Sequence, residues 1–187
     1  RGHPNIPAPE VPLYCECDAD FANDPDTSRS TTGFVMYMFG DLFYFNSKIQ
    51  KNQIAQATTH AEMIAVNEAV LEVPHFIRLL KFMGFAEAGA EPVRIGNDNA
   101  GAVALAGSDA RAWAKKRVRY FNVKLQNVRH QQAAGVIQVF KISSAENRAD
   151  YLTKELRGSA HSSVAQKMLV SKAKLEVLVV SSTSMSK

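Results

Sequence analysis

The segment Leu13-Tyr14-Cys15-Glu16-Cys17-Asp18-Ala19-Asp20-Phe21 places the tightest constraint on how this chain can fold. Read as a strand, it puts Leu13, Cys15 and Cys17 on one face and Tyr14, Glu16, Asp18 and Asp20 on the other. Carboxylates repel along a strand face and have poor strand propensity, so such a row calls for positive charge opposite it. The plainer alternative is a strand that runs out into the polar turn Asn23-Asp24-Pro25-Asp26. Cys15 and Cys17 share a face one residue apart, which argues against a disulfide and for buried thiols in a reducing compartment. A zinc site would need a second Cys or Cys/His pair, which the sequence lacks.

The rest of the chain reads as a mixed α/β domain. After polar residues 23–32, the aromatic and β-branched runs Gly33–Phe39 and Leu42–Ser47 flank Gly40-Asp41, predicting a hairpin and an antiparallel three-stranded meander. The period then changes: positions 62, 65, 66, 69, 70 and 73 share one helical stripe, apolar except for Glu62. Pro74 is expected to kink or divide this helix, which continues towards Gly84. A fourth strand, Val93–Gly96, leads into Asn97-Asp98-Asn99 and a short helix over 100–106. A basic helical pattern over 111–134 ends at Gly135, a fifth strand covers 136–142, and Asn147 caps a helix through Leu156. The order is βββαβαβα around a five-stranded mixed sheet.

Proline-rich residues 1–12 read as a linker, 13–157 as the domain, and 158–187 as a C-terminal helix with a polar tail. The hydrophobic and charged fractions, 46% and 21%, are those of a soluble globular chain. No apolar run approaches the roughly 20 residues that span a bilayer, and the N-terminus is no signal peptide, so an intracellular, cytoplasmic location is expected. Because it begins at Arg1, the chain reads as a piece of a longer polypeptide. A net charge of +4 mildly favours a polyanionic partner.

Three more carboxylates stand at the ends of predicted elements, and each has an ordinary explanation. Thr59-x-x-Glu62 fits a capping box, Asp98 fits a helix N-cap, and Asp150 stands four residues before Lys154. Together with Asp18 they occupy places that such a sheet can bring together. Converging carboxylates repel each other unless divalent cations bind between them, and hard oxygen ligands suit magnesium.

The ordered motifs Cys17-Asp18-Ala19-Asp20-Phe21-Ala22, Asp24–Phe34, Ser47-Lys48-Ile49-Gln50, Thr59-His60-Ala61-Glu62, Asn97-Asp98-Asn99 and Arg148–Lys154 resemble the ribonuclease H domain of copia-type LTR-retrotransposon polyproteins. The likeness runs from about residue 14 to 156 and implies a ribonuclease H-like fold. It also implies that Asp18, Glu62, Asp98 and Asp150 are the catalytic and metal-binding set, with two Mg2+ ions for which Mn2+ can substitute. Asp18 would bridge both ions, Glu62 and Asp98 hold one, and Asp150 hold the other. Asp20 shares the face of Asp18, and only the motif alignment chooses between them. The implied reaction is endonucleolytic hydrolysis of the RNA strand of RNA/DNA hybrids during reverse transcription, leaving 5′-phosphate and 3′-hydroxyl ends. The chain departs from its relatives at Phe21, Met63, Ala100 and Arg117-Val118.

Lys115, Lys116, Arg117, Arg119 and Lys124 of the basic helix are candidate phosphate contacts, and a solvated helix face is the plainer reading. Asn97, Asn99 and Gln53 are candidate hydrogen-bond donors to RNA. The implied partners are an RNA/DNA hybrid and a reverse transcriptase domain of the same polyprotein. The other readings are a domesticated, non-catalytic subunit of a larger assembly and, less fitting, a transposase or resolvase of the same fold.

Overall fold

The computed structural model describes residues 13–51, 55, 57–107, 119–154 and 168, with the side chains of 119–122 outside that set. The strands are β1 (Leu13–Asp20), β2 (Thr31–Met38), β3 (Asp41–Ile49), β4 (Val93–Asn97) and β5 (Ile137–Lys141). The helices are α1 (Thr58–Phe82), α2 (Ala100–Gly107) and α3 (Arg119–Ala133). Two 3-10 turns, Ser144–Glu146 and Arg148–Leu152, follow β5. The sheet runs in the order β3-β2-β1-β4-β5, antiparallel on the β2 side of β1 and parallel on the β4 side. Among the described residues, no helix is long and apolar enough to cross a membrane.

Alternation in β1 does what its pattern demands. Leu13, Cys15, Cys17 and Ala19 pack into the core with the α1 residues Ala61, Ala65, Val66, Ala69, Val70 and Val73. Tyr14 faces the other way, into a second cluster with Val35, Tyr37 and Ala149. Both cysteines are buried and free. The β2–β3 hairpin turns one residue earlier than the sequence suggests, at Phe39-Gly40, where both φ angles are positive (52° and 86°), as a two-residue turn that matches strand twist requires.

Two expectations about helices are corrected. Pro74 does not divide α1, which runs unbroken for 25 residues. Val73 and Phe76 on either side of the proline are both buried, so packing holds the helix together across the lost hydrogen bond. Asn147 does cap, accepting from the Ala149 amide at 3.2 Å. What it opens is a five-residue 3-10 turn rather than an α-helix, and residues 155–156 lie outside the described set.

That turn lies directly on the strands. The Ser47 hydroxyl donates to the Leu152 carbonyl at 2.6 Å, and the approach over β2 is possible because residue 33 is glycine. A Cβ at Gly33 would meet the Ala149 carbonyl oxygen and Leu152 Cβ at 2.9 Å each, and Thr153 Cγ2 at 2.8 Å. Gly33→Ala is therefore expected to destabilise the protein by about 1–3 kcal/mol, read as a lowered urea midpoint at unchanged slope.

Candidate active site

β1 and β4 are parallel with Cys17 opposite Asn97, so the next residues of each, Asp18 and Asp98, emerge side by side at the carboxyl ends of the strands. At β1 the sheet also changes from antiparallel to parallel pairing, and an open α/β sheet leaves a crevice at such a place. The core-facing stripe of α1 brings Glu62 to the same point. One oxygen from each of Asp18, Glu62 and Asp98 lies within 4.8 Å of the others.

The ordinary explanations of Glu62 and Asp98 do not describe their positions. α1 starts at Thr58 after Ala57, with no side-chain cap, and Glu62 sits in its second turn, 4% exposed. Its Oε2 accepts from Asn97 Nδ2 at 2.9 Å, and the Ala19 amide also donates to the carboxylate. At α2 the capping residue is Asn99, whose Oδ1 accepts from the Ala102 amide at 2.9 Å. Asp98 is thereby left to the acidic cluster. Asp18 is 5% exposed, and its Oδ2 accepts from Thr153 Oγ1 at 2.6 Å. Asp20, one strand repeat further on, lies outside the cluster.

Asp150 is placed differently. Its carboxylate is ion-paired to Lys154, as i,i+4 spacing suggests, and it is not one of the three clustered groups. It remains close enough for its charge to raise the proton affinity of Asp18.

Burial and neighbouring negative charge make Glu62 and Asp18 reluctant to ionise. Burial, more than any other effect, pushes Glu62 up to about 8 from 4.5, with the Asp18 charge adding to it and the Asn97 hydrogen bond opposing it. Asp18 is raised to about 6 from 3.8, again chiefly by burial, opposed by the Thr153 hydrogen bond and reinforced by Asp98 and Asp150. Strongly raised carboxylates at a crevice mark a site built for something other than stability.

Several expected nucleic-acid contacts fall elsewhere. Asn97 is fully buried: its amide donates to the Cys17 carbonyl and to Glu62, and its oxygen accepts from the Asn99 amide, so it orients the site and cannot touch RNA. Asn99 is half-buried, with its oxygen engaged in the α2 cap. Lys124 pairs with Glu68 of α1 at 3.0 Å. Lys115, Lys116, Arg117 and Gln53, and the side chain of Arg119, lie outside the described residues. Sequence reasoning assigned no part to Thr153, nor to Glu16 and Arg148, which form a buried ion pair at 2.7 Å. Only the carboxylate-rich face of β1, with its demand for a cation, signalled that pair.

Over 160 residues the chain is 29% identical to the retrovirus-related Pol polyprotein from transposon RE1 of Arabidopsis thaliana, covering 86% of this chain. It is 31% identical over 137 residues, 73% of its length, to the Pol polyprotein from transposon TNT 1-94 of Nicotiana tabacum. Its homologues are the retrovirus-related Pol polyproteins of plant copia-type transposons. The chain spans about a tenth of the length of these Pol relatives. No protein-family model matches it. Among solved structures, LC11-RNase H1, isolated from compost by a metagenomic approach, superposes with a TM-score of 0.51 at 16% identity, covering 76% of this chain and 92% of that one. The foamy viral protease-reverse transcriptase in complex with an RNA/DNA hybrid superposes at 0.55 and 14% identity, covering 89% and 22%. With the strand order above, the fold is ribonuclease H-like.

The raised proton affinity of Glu62 makes a prediction for this Pol relative. Between 4.5 and about 8 the folded state holds a proton that the unfolded chain has released, so this contribution to stability is lost as pH rises through that window. Glu62→Gln has no such loss. In chelator-treated buffer its stability relative to the parent should rise from about pH 5 to about pH 9, measured by urea unfolding.

Proposed function

We propose that this chain is a metal-dependent ribonuclease H, hydrolysing the RNA strand of RNA/DNA hybrids during retroelement reverse transcription. The observation that carries the reading is the trio Asp18, Glu62 and Asp98, one oxygen of each within 4.8 Å of the others, with burial raising the proton affinities of Asp18 and Glu62. Three hard oxygen donors in a small space fit Mg2+, with Mn2+ able to substitute. Asp18, Glu62 and Asp98 would hold one ion, and Asp150 would join Asp18 for the second. Bound there, the ions supply water activation and charge neutralisation for in-line phosphodiester hydrolysis.

The protein's own part is placement. Asn97 fixes Glu62 through a 2.9 Å hydrogen bond, and Thr153 fixes Asp18 through one at 2.6 Å. Each outer partner sets the direction of a ligand oxygen, which raises affinity and keeps the geometry steady. The substrate reading is supported by the Pol homologues and by the similar foamy viral enzyme, which was solved with an RNA/DNA hybrid. Lys115, Lys116, Arg117, Arg119 and Lys124 would meet its phosphates, and Asn99 the RNA edge. A reverse transcriptase domain elsewhere in the same polyprotein would be the covalent partner, acting in the cytoplasm or within retroelement particles.

A second reading has one observation in its favour. The Asp150–Lys154 ion pair occupies the fourth carboxylate, as it would in a domesticated subunit that binds hybrid without cutting it. A labelled RNA/DNA hybrid incubated with Mg2+ separates the two. The first reading expects cleavage of the RNA strand that a chelator abolishes. It also expects Asp98→Asn to lose more than the roughly 10–100-fold typical of a lost outer-shell partner. Binding without cutting would leave only the second.

Loading the site must also displace the proton on Glu62. At about pH 7, Mn2+ binding should release close to one proton per chain, falling towards none as pH passes about 8. Calorimetric titrations in buffers of different ionisation enthalpy measure this directly.

A further inference from the structure

Glu16 stands two residues before Asp18 on β1, is 1% exposed, and has no place among the metal-binding carboxylates. A buried carboxylate left alone would cost several kcal/mol, so what answers it matters. Most of the answer comes from a single residue. Arg148 donates its backbone amide to Glu16 Oε2 at 2.8 Å, its Nε to the same oxygen at 3.0 Å, and its Nη2 to Oε1 at 2.7 Å. The Tyr14 hydroxyl adds a bond to Oε1 at 3.0 Å, and the guanidinium lies 3.9 Å over the Tyr37 ring. Main chain and side chain of Arg148 are thus both fixed to the sheet.

Arg148 opens the turn that carries Asp150. On its N-terminal side, Asn147 Nδ2 donates to the Cys17 carbonyl at 3.1 Å. On its C-terminal side, Thr153 reaches Asp18 at 2.6 Å. Asp150 lies between the two anchors, in a 3-10 turn of five residues. Its distance from Asp18 is therefore set from the sheet and not by the turn itself.

We propose that Glu16 and Arg148 are a positioning pair that holds Asp150 where it can share a metal ion with Asp18, an inference that rests on the hydrolase reading above. The pair touches neither the ions nor the scissile phosphate. It acts by fixing the start of the turn, so that when Asp150 leaves Lys154 its carboxylate is already beside the cluster. Stability alone is a poor explanation, because replacing a buried ion pair with neutral groups of similar size often leaves a protein equally stable.

The test separates position from stability. Mn2+ affinity is measured by calorimetry without nucleic acid, and unfolding by urea, for the parent, Asp150→Asn, the double variant Glu16→Gln/Arg148→Met, and Arg148→Lys. The double variant removes both charges together and leaves residue 16 a carbonyl oxygen for the backbone amide of position 148 and an NH2 that can donate to the Tyr14 hydroxyl. It is expected to unfold near the parent midpoint yet bind Mn2+ about 10–100-fold more weakly, matching Asp150→Asn. Arg148→Lys keeps the charge but gives up the fork, and should weaken Mn2+ binding in the same direction. Should the double variant fail to fold, Arg148→Lys carries the test. Parent-like Mn2+ affinity in a folded variant overturns the proposal, as does an affinity that does not respond to Asp150→Asn. A parent that binds Mn2+ but leaves hybrid intact overturns the hydrolase reading alone.

Discussion

Parallel pairing of β1 with β4, in the register Cys17 opposite Asn97, joins residues 80 positions apart and sets Asp18 beside Asp98 in the acidic cluster. Side chains alternate along a strand, so a slip of one residue would turn Asp98 to the far side of the sheet from Asp18. The register is locked by the site itself. The Asn97 amide donates both to the Cys17 carbonyl and to Glu62, tying β4 to β1 and to α1 from within the core. The same side chain receives the Asn99 amide and so helps start the chain into α2.

Two buried carboxylates, two residues apart on one strand, meet opposite electrostatic fates. Glu16 receives a guanidinium, a backbone amide and a tyrosine hydroxyl, which together answer its charge. Asp18 receives one hydroxyl, and burial, reinforced by the charges of Asp98 and Asp150, raises its proton affinity. Burial alone does not distinguish structural from functional acids. The distinction lies in whether the fold supplies a counter-charge or withholds one.

The strands and α1 were legible because their signals are local: alternation over 13–20, a turn near Gly40, and a change of period at Thr59. Glu62 was legible as the one charged residue on an apolar stripe. What could not be read depends on contacts made across the sheet. Asn97 resembles a surface donor until β1 and α1 close over it, and Pro74 resembles a break until Val73 and Phe76 are buried around it. The segment from Arg148 has the composition of a helix. Its 3-10 form comes from lying against β1 and β2, where only the absence of a side chain at Gly33 leaves room. The cation demanded by the face of β1 was foreseeable, but Arg148, 132 residues away, was not identifiable from pattern alone.

The separation between Glu16 and Arg148 also has a consequence for synthesis. A chain made from its N-terminus offers the β1–β2–β3 meander first, with the β4-facing edge of β1 unpaired until Asn97 emerges, 80 positions after its partner Cys17. Glu16 waits longer still for its guanidinium. Long-range closures of this kind are slow, and they come after local structure has formed. A truncated or stalled chain would therefore hold its acidic residues on an unfinished sheet, with β1 open to pairing with other chains. Docking of the turn that begins at Arg148 is thus the step that neutralises the centre of the sheet.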